Sequence, residues 1–198
     1  MSGAVTAPAM LGFLGKLPAR GDFVARGLPR SFREPWDAWA AAVMPASRAV
    51  LGETWLPAWL EAPVWRFALP PGLCGPMAAT GVWLPSVDRA GRHWPLAIAA
   101  VLPGLAAAPA AEAAWLDALE AAGVAAVTED VAPDALAARL APLAGEAPRA
   151  CLEGMTGAWW TAGAPRVAPR RFGAAALPEV AAFAAMLSDT GQDAEGEA

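Results

Sequence analysis

Val64-Trp65-Arg66-Phe67-Ala68-Leu69, then Gly81-Val82-Trp83-Leu84, then the nearly unbroken apolar run from Trp94 to Leu102 decide the fold class of this chain. The first alternates large apolar residues with others and stops at Pro70-Pro71-Gly72, and the second is closed by Pro85. Short apolar and aromatic runs bounded by turn residues are the pattern of strands. The third is apolar at both parities, as expected of a central strand covered on both faces. Short connections between the three predict an antiparallel meander.

Working outward, Leu11-Gly12-Phe13-Leu14-Gly15 predicts another buried strand, ending at Lys16-Leu17-Pro18. A polar turn, Arg20-Gly21-Asp22-Phe23, follows, with Gly21 supplying backbone freedom. Leu28-Pro29-Arg30-Ser31 reads as a helix entry, and Ser31 with Glu34 has the spacing of a capping box. Phe32, Trp36, Trp39 and Val43 recur at helical spacing up to Pro45, and Trp55, Leu56, Trp59 and Leu60 form a second helical piece broken by Pro63. The second half predicts helices over 110–123, 134–143 and 178–187. Trp115, Leu116 and Leu119 line the first, Gly123 stops it, and Val180, Phe183, Ala184 and Leu187 point inward from the last. A short strand is predicted over 156–161. No repeat of 20–50 residues breaks the chain. The expected architecture is a single-domain α/β layered sandwich over residues 11–188, its central sheet mixed or largely antiparallel and covered by helices. Residues 1–10 read as a flexible lead-in and 189–198 as an acidic tail.

The 198 residues are 57% hydrophobic and 17% charged, which excludes disorder along the whole chain. There are 53 Ala, ten Trp, no Tyr and one His, and Lys16 is the single Lys beside 13 Arg. The net charge of −5 divides into +3 over residues 1–100 and −8 over 101–198, against a nucleic-acid binder of the broad basic-surface kind. Cys74 and Cys151 stand alone, open to one disulfide or to two buried free thiols. One His and no Cys cluster exclude an ordinary zinc site. No apolar run reaches the roughly 18–20 residues of a membrane span, and no basic segment precedes the N-terminal apolar stretch as in a signal peptide. Cytoplasmic residence is the expectation.

Ser86, Asp88 and His93 fall within eight residues. A serine triad is one reading, but triad members normally converge from separate elements, and Ser86 lacks a GxSxG elbow. A rigid turn, with Asp88 accepting from nearby backbone N–H groups and from Arg89 or Arg92, is another; a partner-contact surface is a third. Gly15-Lys16 lacks the GxxxxGK[ST] frame of a phosphate loop. Arg20 and Asp22 read either as a salt-bridged turn whose Phe23 enters the core or as a recognition loop. Helical spacing makes Trp36, Trp39, Trp55, Trp59 and Trp115 core residues rather than a stacking platform for sugars or bases. Adjacent Trp159 and Trp160 must face opposite sides of a strand, and an exposed member would mark an interface.

Together these stretches resemble the TagF (ImpM) family of type VI secretion-associated proteins. The matching residues are Gly12-Phe13, Gly15-Lys16-Leu17-Pro18, Gly21-Asp22-Phe23, Leu28-Pro29, Ser31-Phe32, Trp36-Asp37 and Trp39. They continue through Pro63–Phe67, Pro85–Arg89, Gly91-Arg92, Pro95-Leu96 and Trp159-Trp160, an ordered series over residues 11–161. His93-Trp94 departs from the aromatic pair usual before Pro-Leu. Some relatives are similar to fusions with a PP2C-type phosphatase, but this chain has neither the length nor the acidic metal-binding motifs for that activity.

The resemblance implies an α/β sandwich and a cytoplasmic, non-catalytic regulator, generally a repressor, of type VI secretion assembly that binds a forkhead-associated (Fha) scaffold protein. On this reading Lys16, Arg20, Asp22, Ser86, Asp88, Arg89, Arg92 and Trp160 are the expected partner-contacting residues. No catalytic residue, cofactor, metal, nucleic acid, small-molecule substrate or membrane insertion is expected. The alternatives are a structural accessory component of the apparatus and a serine hydrolase using Ser86, Asp88 and His93.

Overall fold

The structure is a computed structural model describing residues 7–152 and 156–189. Residues 1–6 of the expected lead-in and 190–198 of the expected tail lie outside the described residues. The predicted meander is present: β3 (Trp65–Leu69), β4 (Ala78–Leu84) and β5 (Leu96–Leu102) pair antiparallel in chain order. Outside them, β1 (Met10–Gly15) pairs β5 and β2 (Val24–Arg26) pairs β1, while β8 (Gly157–Thr161) pairs β3 and β9 (Arg170–Ala174) pairs β8. The seven-stranded sheet runs β2-β1-β5-β4-β3-β8-β9 with every ladder antiparallel. Two short strands, β6 (Ala108–Pro109) and β7 (Cys151–Leu152), form a separate ribbon.

Helices cover both faces. On one, α1 (Arg30–Leu51), α2 (Trp55–Glu61) and α5 (Val180–Leu187) pack on Leu14, Trp65, Phe67, Ala79, Trp83 and Ala97. On the other, α3 (Ala113–Thr128) and α4 (Pro133–Leu140) pack on Phe13, Val82, Leu84, Ile98 and Ala100. Each strand therefore sends alternate side chains into two cores, and all seven residues of β4 and of β5 are buried. That is the physical origin of the unbroken apolar run read in the sequence.

The Trp-rich stripe of α1 enters the first core. The Trp36 ring lies 5.6 Å from Phe32, 5.0 Å from Trp39 and 5.0 Å from Phe67. Its helix runs through Pro35 and Pro45 rather than weakening at Pro45. Burial of Phe32, Trp36, Trp39, Val43 and Met44 on one stripe outweighs the N–H that each proline lacks. The indole donors find fixed acceptors: Trp39 Nε1 donates to Pro178 O at 2.7 Å, Trp55 Nε1 to Ser47 Oγ at 2.9 Å, and Trp65 Nε1 to Met186 O at 3.0 Å. Trp55 and Trp59 are buried, whereas Leu56 and Leu60 of the same helix face solvent.

Some local expectations are corrected. Ser31 and Glu34 form no capping box; Pro29 is the N-cap without a side-chain bond, and Glu34 accepts from Arg30 at 2.7 Å. Gly123 does not end α3, which continues to Thr128. A Cβ there would meet Leu84 Cδ2 at 3.0 Å and Ile98 Cδ1 at 3.3 Å, so Gly123 is where helix and sheet approach closely. Strands β2 and β9 have no counterpart in the sequence reading. Cys74 is a buried free thiol, pushed by burial up to about 12, and Cys151 is free and half-buried.

Candidate functional site

Strands β1 and β4, both antiparallel to β5 between them, finish at the same end of the sheet, which brings loops 16–23 and 86–93 together. Asp88 holds them. Its side chain is fully enclosed, and its carboxylate accepts from the backbone N–H of Ala90 and Arg92 at 2.9 Å each. Its other oxygen lies 2.7 Å from Arg92 Nε and 3.0 Å from Lys16 Nζ. Burial alone would raise the Asp88 pKa. The Arg92 N–H, the Lys16 and Arg92 side chains and the Ala90 N–H outweigh it and hold the carboxyl well below the usual range.

The rest of the junction is equally directional. Ser86 Oγ donates to Lys16 O at 2.7 Å, Arg89 N to Arg20 O at 2.9 Å, and Arg89 Nη2 to Ala19 O at 2.8 Å. Arg92 Nη2 reaches Gly21 O. Gly91, at φ +78°, closes the 86–93 turn, while Gly21 does not use the left-handed region. With all four carboxylate contacts satisfied in a partly enclosed space, the two loops form one rigid ridge.

The predicted site residues thus take different parts. Ser86 and Asp88 are buried and frame the ridge, and Lys16 is half-buried beneath it. Arg20, Asp22, Arg89 and Arg92 are exposed on it. The expected Arg20–Asp22 salt bridge does not form among the described residues, and Phe23 is 43% exposed instead of entering the core, its ring edge-on to Trp94 at 6.4 Å. Asp88 accepts from Arg92 but not from the Arg89 side chain. Trp160 lies apart, on β8 two strands from β4. It is half-buried rather than exposed, because Trp159 enters one core while Trp160 packs against the other, with the Arg171 guanidinium 5.1 Å from its ring.

Ser86, Asp88 and His93 do not line up as a relay. Ser86 is turned to Lys16 O, and the His93 ring lies edge-on to Trp55 at 5.6 Å and Trp59 at 6.4 Å. Burial, with Arg48 and Lys16 nearby, lowers the His93 pKa against the opposing charge of Asp88. Among the described residues no group of three or more His, Cys, Asp or Glu is placed to hold a metal ion, and no helix is long and apolar enough to cross a membrane.

Beside the ridge lies a groove the sequence reading missed. Leu14, Ala25 and Phe23 line it from the strand side, and Arg30, Arg33, Glu34 and Asp37 of α1 from the other, two cations against two carboxylates; its volume is about 430 Å³. The helix residues follow an i, i+3, i+4, i+7 stripe, the signal that was available in the sequence.

Residues 12–143 match the family described as TagF N-terminal domain, type VI secretion system-associated. The chain is similar to the protein in the 2.05 Å crystal structure of PA0076 from Pseudomonas aeruginosa PAO1, with 36% identity and a TM-score of 0.80 over 95% of this chain and 96% of that one. No curated protein matches. With two thirds of its length matched and its fold shared with that relative, the chain belongs to the TagF N-terminal domain family of type VI secretion system-associated proteins.

Proposed function

We propose that this chain is a non-catalytic, cytoplasmic regulator of type VI secretion assembly that acts as a repressor by binding the Fha scaffold protein. The observation that supports this reading is the rigid ridge, in which a fully buried Asp88 fixes two loops while Arg20, Asp22, Arg89 and Arg92 stay exposed. Arg89 and Arg92, held across the loops by bonds to Ala19 O, Asp88 and Gly21 O, lose little conformational freedom when a partner docks. A hydrolase would instead need Ser86 free to attack, and its hydroxyl is committed to Lys16 O.

Binding of purified Fha protein to R20A/D22A, measured by calorimetry after circular dichroism confirms the fold, tests the surface. A drop of at least tenfold in affinity is expected, and unchanged affinity overturns the assignment. Deleting the gene and measuring secretion of the tube protein tests the sign. Increased secretion is expected, and unchanged or reduced secretion overturns repression.

A further inference from the structure

We propose that the end of α1 and the outer stripe of α2 form a two-fold contact surface that takes a second copy of this chain. It uses other residues than those assigned to the Fha scaffold, and it stands or falls independently of that reading.

Three observations converge. First, Val50, Leu56 and Leu60 are 58%, 45% and 68% exposed, three of the five large hydrophobic side chains exposed among the described residues. Leu56 and Leu60 are i, i+4 neighbours on the solvent side of α2, because Trp55 and Trp59 take the core side. Single exposed apolar residues are ordinary, but a cluster of them at one corner of the molecule marks an association surface. Second, the corner is rigid before anything docks. Thr54 Oγ1 donates to Leu51 O at 2.7 Å, and the Arg48 guanidinium lies 4.1 Å from the centre of the Trp55 ring, so the end of α1 and the start of α2 are tied together. Little ordering is left to be lost on association.

Third, the charges select the occupant. Between residues 44 and 61 the charged side chains are Arg48, Glu53 and Glu61. Glu61 is matched by Arg166 at 2.7 Å, whereas Arg48 and Glu53 are exposed and form no ion pair among the described residues. His93, which reaches Trp55 and Trp59 from the 86–93 turn, has a lowered pKa and adds no charge at neutral pH. The corner thus presents one unpaired cation and one unpaired carboxylate beside an apolar centre. A two-fold axis brings residue i of one copy to residue j of the other and j to i, so Arg48 of each copy meets Glu53 of the second. A partner surface of a single sign would repel one of the two. The patch is small, which places the contact among weak associations.

Sedimentation of the full chain from about 5 to 500 µM covers the range of a weak contact. The weight-average mass should rise above the 20.2 kDa of the monomer as concentration increases. L60E should weaken association at least tenfold. R48E and E53R should each do the same, by setting like charges opposite one another. An equimolar mixture of R48E and E53R should recover association, as should the double variant R48E/E53R, because every charge then meets its opposite. Circular dichroism should show the wild-type fold in each variant, since the altered side chains are exposed. R20A/D22A should associate as wild type does, which separates this surface from the ridge. A wild type that stays monomeric, a dimer that L60E leaves intact, or charge variants that neither the mixture nor the double variant rescues overturns the proposal. A monomeric wild type whose binding to Fha protein is abolished by L60E gives the surface to that protein and overturns it too.

Discussion

Trp65 and Trp159 are both fully buried in the same core, yet replacing each by Phe should have opposite consequences. Trp65 Nε1 donates to Met186 O at 3.0 Å, one of the α5 C-terminal carbonyls that the helix itself leaves unpaired. Among the described residues Trp159 Nε1 is buried with no hydrogen-bond partner. Losing the two extra ring carbons costs about 1.6 kcal/mol at about 0.8 kcal/mol each, and the void brings both variants to about 2 kcal/mol. In W65F the orphaned Met186 carbonyl adds about 1–3 kcal/mol, for a total near 4 kcal/mol. In W159F removal of an unpaired buried donor returns about 1–3 kcal/mol, leaving a net change near zero. Urea unfolding followed by far-ultraviolet circular dichroism, which does not depend on the indole removed, measures the gap provided the denaturant slope is unchanged. W65F should be less stable than W159F by at least about 2 kcal/mol, and at about 2–4 °C per kcal/mol the two melting temperatures should differ by about 4–8 °C. Equal destabilisation, or a larger loss in W159F, would refute the claim that hydrogen-bond satisfaction rather than ring volume separates the two tryptophans.

Other predictions follow from the ridge and the sheet. Asp88 has a depressed folded pKa, so its contribution to stability is present above the ordinary carboxylate value of about 3.9 and is lost as pH falls through the folded value. The melting-temperature gap between wild type and D88N should be widest at neutral pH and close in acid, and amide exchange over residues 16–23 and 86–93 should speed up in D88N at pH 7. His93 is a base with a depressed pKa, so protonating it opposes folding: wild-type stability should fall as pH drops below about 6.5, and H93Q should lose that part of the slope. A Cβ at Gly81 would lie 2.1 Å from Ile98 O in the middle of the sheet, so G81A should destabilise at or above the upper end of the about 1–3 kcal/mol usual for overpacking, measured by urea unfolding. Arg66 joins β3 to α3 through Asp117 at 2.7 Å and Glu120 at 2.6 Å. With partners partly in solvent, R66Q should cost about 1 kcal/mol, and added salt should narrow the gap to wild type.

The sheet centre was legible because its chemistry is local: Leu96–Leu102 is apolar at both parities, and β4 and β5 are joined by turn residues. Strand β9 was not, since Arg170-Arg171-Phe172-Gly173-Ala174 carries no apolar alternation and becomes a strand only through its ladder with β8. Pro45 misled for the same reason in reverse, because the packed stripe of α1 overrides a local breaker. At the site, the nearness of Ser86, Asp88 and Arg92 in sequence was readable, and so was a turn built on backbone N–H groups. The partner Lys16 stands 72 positions from Asp88, a pairing set by the β1-β5-β4 order that no local pattern encodes. The groove escaped notice because Arg33 looks like any solvated helix charge until β2 and Phe23 are placed beside it.

The position of β3 has a consequence for how the chain is made. It lies between β4 and β8, yet residues 70–156 separate its end from the start of β8. During synthesis at about 5–20 residues per second, that interval leaves one edge of β3 and the Trp36–Phe67 cluster uncovered for roughly 4–17 s. The family match, ending at 143, stops before β8 and α5, so a fragment cut there would keep the same exposed edge permanently. The smallest piece able to complete the sheet reaches Ala174 and the smallest able to cover its Trp-rich face reaches Leu187, so a nascent chain halted earlier presents a template for aggregation or a client for a chaperone.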